Sequence, residues 1–181
     1  MTYDPEIHHR RSIRWRGHDY SSPGAYFVTG CERHKRHIFG EVIEGEMHLN
    51  SIGEIVAACW KWLGKNYSHV VLDEWVVMPN HMHGIIILTD VGAVREPPPG
   101  THAPAHVGAV REPPLRKPLG RLIGAFKTAS TNRINTVQNT HGSSVWQRDF
   151  HDRVIRDNDE LEKIREYIRT NPLRWESDPE R

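Results

Sequence analysis

Apolar positions fall into two periods along this chain, and the changes between them mark out the elements. AYFVTGC (25–31) is a short apolar run introduced by the turn-forming SSPG, and it predicts a strand. HIFGEVIEGEMHLN (37–50) predicts two short strands turning at Glu44-Gly45. In SIGEIVAACWKWLGKN the apolar residues fall at 52, 55, 56, 59, 60 and 63, one stripe of helical period. Ser51 with Glu54 predicts a capping box at its start. HVVLDEWVVM (69–78) and HMHGIIIL (81–88) predict the strands of an antiparallel hairpin, turned tightly at Pro79-Asn80. A second helix is expected over 115–135, with apolar residues at 119, 122, 123 and 126. HGSSVWQRDFHDRVI follows as a loop leading into a short extended stretch. Asp157 then caps a third helix, NDELEKIREYIRTN, with Glu160 at the capping-box position and Pro172 ending it. Strand, helix, strand hairpin, helix and closing helix together predict one small α+β domain over 1–181, built on an antiparallel sheet.

One segment follows neither period. VGAVREPP occurs at 91–98 and again, letter for letter, at 107–114. The spacing of 16 residues is short and proline-rich for a stacking repeat, so 90–116 is expected to be a flexible, low-complexity loop.

Composition changes this picture little, but the placement of charge adds to it. The 181 residues are 37 % apolar and 26 % charged, with a net charge of only +1. Yet the first 22 residues form a basic arm, in which Arg10, Arg11, Arg14 and Arg16 surround Trp15. Between Pro113 and Arg148 there is no acidic residue, while Arg116, Lys117, Arg121, Lys127, Arg133 and Arg148 all fall there. Two basic stretches in a near-neutral chain suggest a polyanion footprint, although each alone reads equally as solvated surface. Cys31 and Cys59 make no disulfide framework, and both thiols are expected to be buried. With no apolar run of about 18 residues and no signal peptide, a cytoplasmic protein is expected.

The chemistry of the chain centres on VVMPNHMHGIIIL. Side chains alternate along a strand, so His81 and His83 share one face and Met82 takes the other. Two imidazoles so placed either converge on one divalent metal or sit in the core on hydrogen bonds. A catalytic metal requires a further ligand and open positions. On the third helix Tyr167 and Asn171 stand four residues apart and share a face, beside the stripe of Leu161, Ile164 and Ile168. Taken singly, Tyr167 reads as a packing tyrosine and Asn171 as a helix C-cap.

VVMPNHMHGIII, VWQRDF and REYIRTNPLRW, in that order, resemble the single-tyrosine HUH transposases, specifically the REP-associated tyrosine transposase group. GAYFVTGCERHKRHIFGEV and GEMHLNSIG fit the same pattern, so the resemblance spans nearly all of the chain outside 90–116. It implies a ferredoxin-like antiparallel sheet with helices packed on it, of HUH endonuclease type. It also implies a Mg²⁺ or Mn²⁺ site on His81, His83 and Asn171, with Tyr167 as nucleophile. The family often carries tyrosines and a histidine after WQR, where this chain reads Phe150-His151-Asp152-Arg153. Tyr167 therefore has no rival in the last hundred residues. The implied substrate is single-stranded DNA bearing a hairpin, a repetitive palindromic element, cleaved and rejoined through a 5′-phosphotyrosine by a monomer or homodimer. Arg10, Arg11, Arg14, Arg16, Lys127, Trp146 and Arg148 are the candidate DNA contacts, with Trp15 and Trp146 as stacking platforms. Two rivals stay open: a metal-dependent nuclease in which water attacks, and a non-catalytic nucleic-acid-binding module.

Overall fold

The computed structural model describes residues 17–90 and 117–181. Arg10, Arg11, Arg14, Trp15 and Arg16, and both copies of VGAVREPP, lie outside the described residues. The central elements run β1 (Gly24–Cys31), α1 (Ser51–Asn66), β4 (Val70–Val77), β5 (His81–Leu88), α2 (Leu119–Gln138) and β6 (His151–Ile155). The sheet order is β4-β5-β1-β6, and every neighbouring pair is antiparallel. A β-α-β-β-α-β chain with that order is the ferredoxin-like arrangement, as expected. A separate two-stranded hairpin, β2 (Gly40–Ile43) and β3 (Glu46–Leu49), sits between β1 and α1 and turns at Glu44-Gly45, both at positive φ. Helix α3 (Asn158–Thr170) and a 3-10 helix (Pro172–Ser177) close the chain.

Strand β5 reads as almost wholly apolar because both faces of the sheet are covered. Met82, Ile86 and Leu88 join the main core with Trp60, Leu63, Leu122 and Phe126 of α1 and α2. Ile85 faces the other way, onto Ile155 and the α3 residues Ile164 and Ile168. His81 and His83 lie four and two residues before Ile85, hence on the α3 face. Gly84 lets Trp60 lie flat on the sheet, since a Cβ there would stand 2.5 Å from Trp60 Cζ2. Burying a side chain of this size contributes roughly 1.5–3 kcal/mol over leaving it exposed.

Three local expectations are revised. The N-cap of α1 is Asn50, whose Oδ1 accepts from the Ile52 and Gly53 amides at 2.9 and 3.0 Å, so no Ser51–Glu54 capping box forms. Asn is as good a cap as Ser, and the one-residue shift puts Ser51 inside the first turn. Helix α2 begins at Leu119, not 115, because Pro118 holds the extended N-cap conformation, and it runs on to Asn139 in the left-handed region. Trp146 is a core residue, only 3 % exposed, packed on Phe39 and Phe126. Its indole N–H donates to Ser130 Oγ at 2.8 Å, so the ring offers no free face for stacking a base.

Candidate metal and nucleophile site

Strand β5 delivers both imidazoles to the α3 face, and the strand alternation alone fixes their convergence. His81 Nε2 and His83 Nε2 stand 3.1 Å apart. Each ring is oriented by its other nitrogen. Asn80 Nδ2 donates to the carbonyls of Glu180 (3.0 Å) and Lys35 (3.3 Å), so its Oδ1 must be the atom facing His81 Nδ1 at 2.8 Å. His81 therefore donates through Nδ1–H and turns the Nε2 lone pair into the site. Across the β1–β5 register Thr29 pairs with His83, and its Oγ1 lies 2.8 Å from His83 Nδ1. Such partners on the far nitrogen set tautomer and ring direction for a metal ligand. Burial pushes the His81 pKa down to about 4. Burial, with His81 alongside, pushes that of His83 down to about 3. Both are neutral at pH 7, as a metal ligand must be.

Helix α3 brings the tyrosine. Asp157 Oδ1 accepts from the Glu160 amide (2.7 Å) and Glu160 Oε2 accepts from the Arg156 amide (2.9 Å), a cap close to the expected one. Tyr167 then projects over the sheet, its hydroxyl 3.3 Å from His83 Nε2 in the same chain. Phe27 of β1 walls the site, stacked on His83 at 5.3 Å and edge-on to Tyr167 at 6.1 Å. Burial, then the Asp178 carboxylate, hold the Tyr167 pKa above its ordinary value. A nearby cation is what would reverse that.

One further turn brings Asn171, 1 % exposed, into the same place. Its Nδ2 donates to Asp178 Oδ2 at 2.8 Å, while its Oδ1 is buried with no hydrogen-bond partner. An orphaned buried carbonyl oxygen is costly unless a cation or water satisfies it. Asp178, past the 3-10 helix, puts Oδ2 3.8 Å from His81 Nε2, and it was not foreseen as a site residue. His81 is neutral, so this contact is not an ion pair. The ligand atoms of His81, His83 and Asp178 all lie within 4.8 Å of one another. Two nitrogens about 2.1 Å from one cation, at a right angle or slightly more, stand roughly 3.0–3.4 Å apart. The residues present therefore fit a divalent metal: two imidazoles, one carboxylate and an unsatisfied amide oxygen.

The other expected contacts are scattered. Lys127 points at the protein: its ammonium donates to the carbonyls of Gln147 (3.0 Å) and Asp149 (2.8 Å), and burial lowers its pKa to about 8. Arg148 is exposed. Cys31 and Cys59 are both buried, as expected. No described helix is long and apolar enough to cross a membrane.

The chain is thus a ferredoxin-like sheet that presents a histidine pair to a helix-borne tyrosine, and comparison with known structures agrees with the fold. The fold matches the REP-associated tyrosine transposase, solved bound to a REP hairpin, with TM-score 0.59 and 16 % identity over 91 % of this chain and 74 % of that one. A Deinococcus radiodurans protein of known structure is a more distant match, with TM-score 0.41 and 15 % identity over 87 % of this chain and 96 % of that one. An uncharacterised protein of Haemophilus influenzae is 35 % identical over 187 residues, covering 97 % of this chain and 95 % of its own. The chain belongs to the family of that Haemophilus protein, and its fold is tyrosine-transposase-like. No protein-family model matches the chain.

Proposed function

We propose that the protein is a divalent-metal-dependent DNA transposase that cleaves and rejoins single-stranded, hairpin-bearing DNA through Tyr167. The observation that carries this reading is the meeting, within one chain, of the Tyr167 hydroxyl, two neutral imidazoles and an orphaned Asn171 oxygen. His81, His83, Asn171 and Asp178 would hold Mg²⁺ or Mn²⁺. Bound there, the metal supplies Lewis acidity to the non-bridging oxygens of a phosphodiester. One carboxylate against a dication leaves net positive charge, suited to a phosphate.

Tyr167 Oη then forms the new bond to phosphorus and the bond from phosphorus to O3′ breaks. The tyrosine releases its proton and O3′ gains one, giving a 5′-phosphotyrosine and a free 3′-hydroxyl. The phosphoester is conserved, so a 3′-hydroxyl can reverse the step and rejoin the strand. The same-chain contact of Tyr167 with His83 supports a site complete in a monomer. The test is incubation with hairpin DNA carrying single-stranded flanks and Mn²⁺, followed by denaturing electrophoresis. A band shifted by the mass of the protein is expected. Cleaved strands without any adduct would establish the hydrolytic nuclease instead, and hairpin binding without cleavage would establish the non-catalytic module.

A further inference from the structure

Beside the metal site, on the far side of Trp175, runs an open groove of about 610 Å³ between the β2–β3 hairpin and the C-terminal turn. It is joined to the site by two of its own residues. Pro79 lies two positions before His81, and the Trp175 ring packs 6.1 Å from that of His81. The groove is within the range of about 300–1,000 Å³ usual for small-ligand clefts, too small for a duplex.

Its walls offer little free positive charge to a phosphate and suit a base better. Arg181 is already paired with Glu176, and its guanidinium lies over Trp175. The remaining charged side chain of the groove is Glu41, an anion. Glu41 faces His48 directly across the β2–β3 pair, so both side chains lie on one face. Both are exposed, and neither side chain has a hydrogen-bond partner among the described residues. A carboxylate beside an imidazole offers an acceptor next to a ring nitrogen that donates or accepts. That is the complement of a nucleobase's Watson–Crick edge, which is available only when the base is unpaired.

We propose that this groove binds an unpaired base flanking the scissile phosphate, held by Glu41 and His48. The inference rests on the DNA-cleaving reading above and gives it a specificity element separate from the chemistry. The test is an abasic scan. Hairpin DNA with single-stranded flanks, made abasic at one flank position at a time, is titrated with wild type and with Glu41→Ala/His48→Ala in EDTA, so that nothing is cut. For wild type, one or two flank positions should weaken binding about tenfold or more when the base is removed. The double variant should bind the intact DNA with that same loss and show no further loss at those positions. Its melting temperature should match wild type, because both residues are exposed. If no flank position matters to wild type, or if the double variant remains as sensitive as wild type, the groove is not a base site. If wild type binds no hairpin DNA at all, the DNA-cleaving reading itself fails.

Discussion

Arg165 holds the helix that aims Tyr167, and removing it is expected to slow chemistry far more than it loosens the fold. Helix α3 meets the sheet through a thin apolar layer, to which it contributes two buried residues, Ile164 and Ile168. Its other attachment is ionic. The register of β4 against β5 is irregular between Leu72 and Trp75, and Asp73 and Glu74 there pair with α3. Arg165 grips both oxygens of Asp73, with Nε 2.8 Å from Oδ1, and Arg169 Nε donates to Glu74 at 3.0 Å. These arginines are one turn apart, and Tyr167 leaves the helix roughly 200° around from Arg165. Its hydroxyl lies on the order of 9 Å from the helix axis, given a Cα radius of about 2.3 Å. A roll of about 10° then carries the hydroxyl about 1.5 Å, and a misplacement of about 1 Å costs on the order of 10²-fold in rate. Arg165→Met should therefore form the DNA adduct about 10²-fold more slowly in single-turnover assays, at unchanged DNA affinity. Its melting temperature should fall within about 3 °C of wild type. The swap Asp73→Arg/Arg165→Asp should recover part of the rate. An adduct rate for Arg165→Met within about twofold of wild type would refute the reasoning.

Three further outcomes are expected. Asp178→Asn removes the carboxylate from the candidate donor set, and Mn²⁺ affinity measured by calorimetry should fall at least about tenfold; unchanged affinity would exclude Asp178 as a ligand. Buried histidines with lowered pKa stay neutral in the folded protein, whereas in the unfolded chain they protonate near pH 6.5. Their contribution is thus present above about pH 6.5 and lost as pH falls toward about 4, by up to about 1.4 kcal/mol per pH unit for each histidine. Urea unfolding in EDTA should show a less stable protein at pH 5 than at pH 7.5, and equal stability would count against neutral, buried rings. Gly84→Ala drives a methyl against Trp60 and should cost about 1–3 kcal/mol in the same assay; a neutral effect would mean the indole can shift away.

The parts of the site that lay on regular elements were legible in the sequence. Strand alternation put His81 and His83 together, and helical spacing put Tyr167 and Asn171 on one face, because both periods are rigid consequences of backbone geometry. Asp178 was hidden because it follows Pro172, where periodicity ends and a 3-10 turn decides direction. Asn80 read as a turn residue, and only the fold shows its amide bridging Lys35, Glu180 and His81. The surroundings of Trp146 and Lys127 were not legible, because neither an aromatic in a loop nor a cation on a helix carries a local sign of what packs against it. Tertiary packing sends the Trp146 ring into the core and turns the Lys127 ammonium onto two loop carbonyls. The Asn50 cap and the late start of α2 are boundary shifts of a residue to a turn, set by Asn50 itself and by Pro118.

In the proposed reaction Tyr167, not water, attacks the phosphate. Tyr167→Phe keeps the ring against Phe27 and His83 and removes one oxygen. Wild type and Tyr167→Phe are incubated side by side with hairpin-bearing single-stranded DNA and Mn²⁺, and strand cleavage and covalent adduct are quantified on one denaturing gel. Tyr167→Phe is expected to bind the DNA as wild type does, form no adduct and cut no strand. Cleavage by Tyr167→Phe near the wild-type rate would contradict attack by Tyr167 and leave a hydrolytic metalloenzyme in its place.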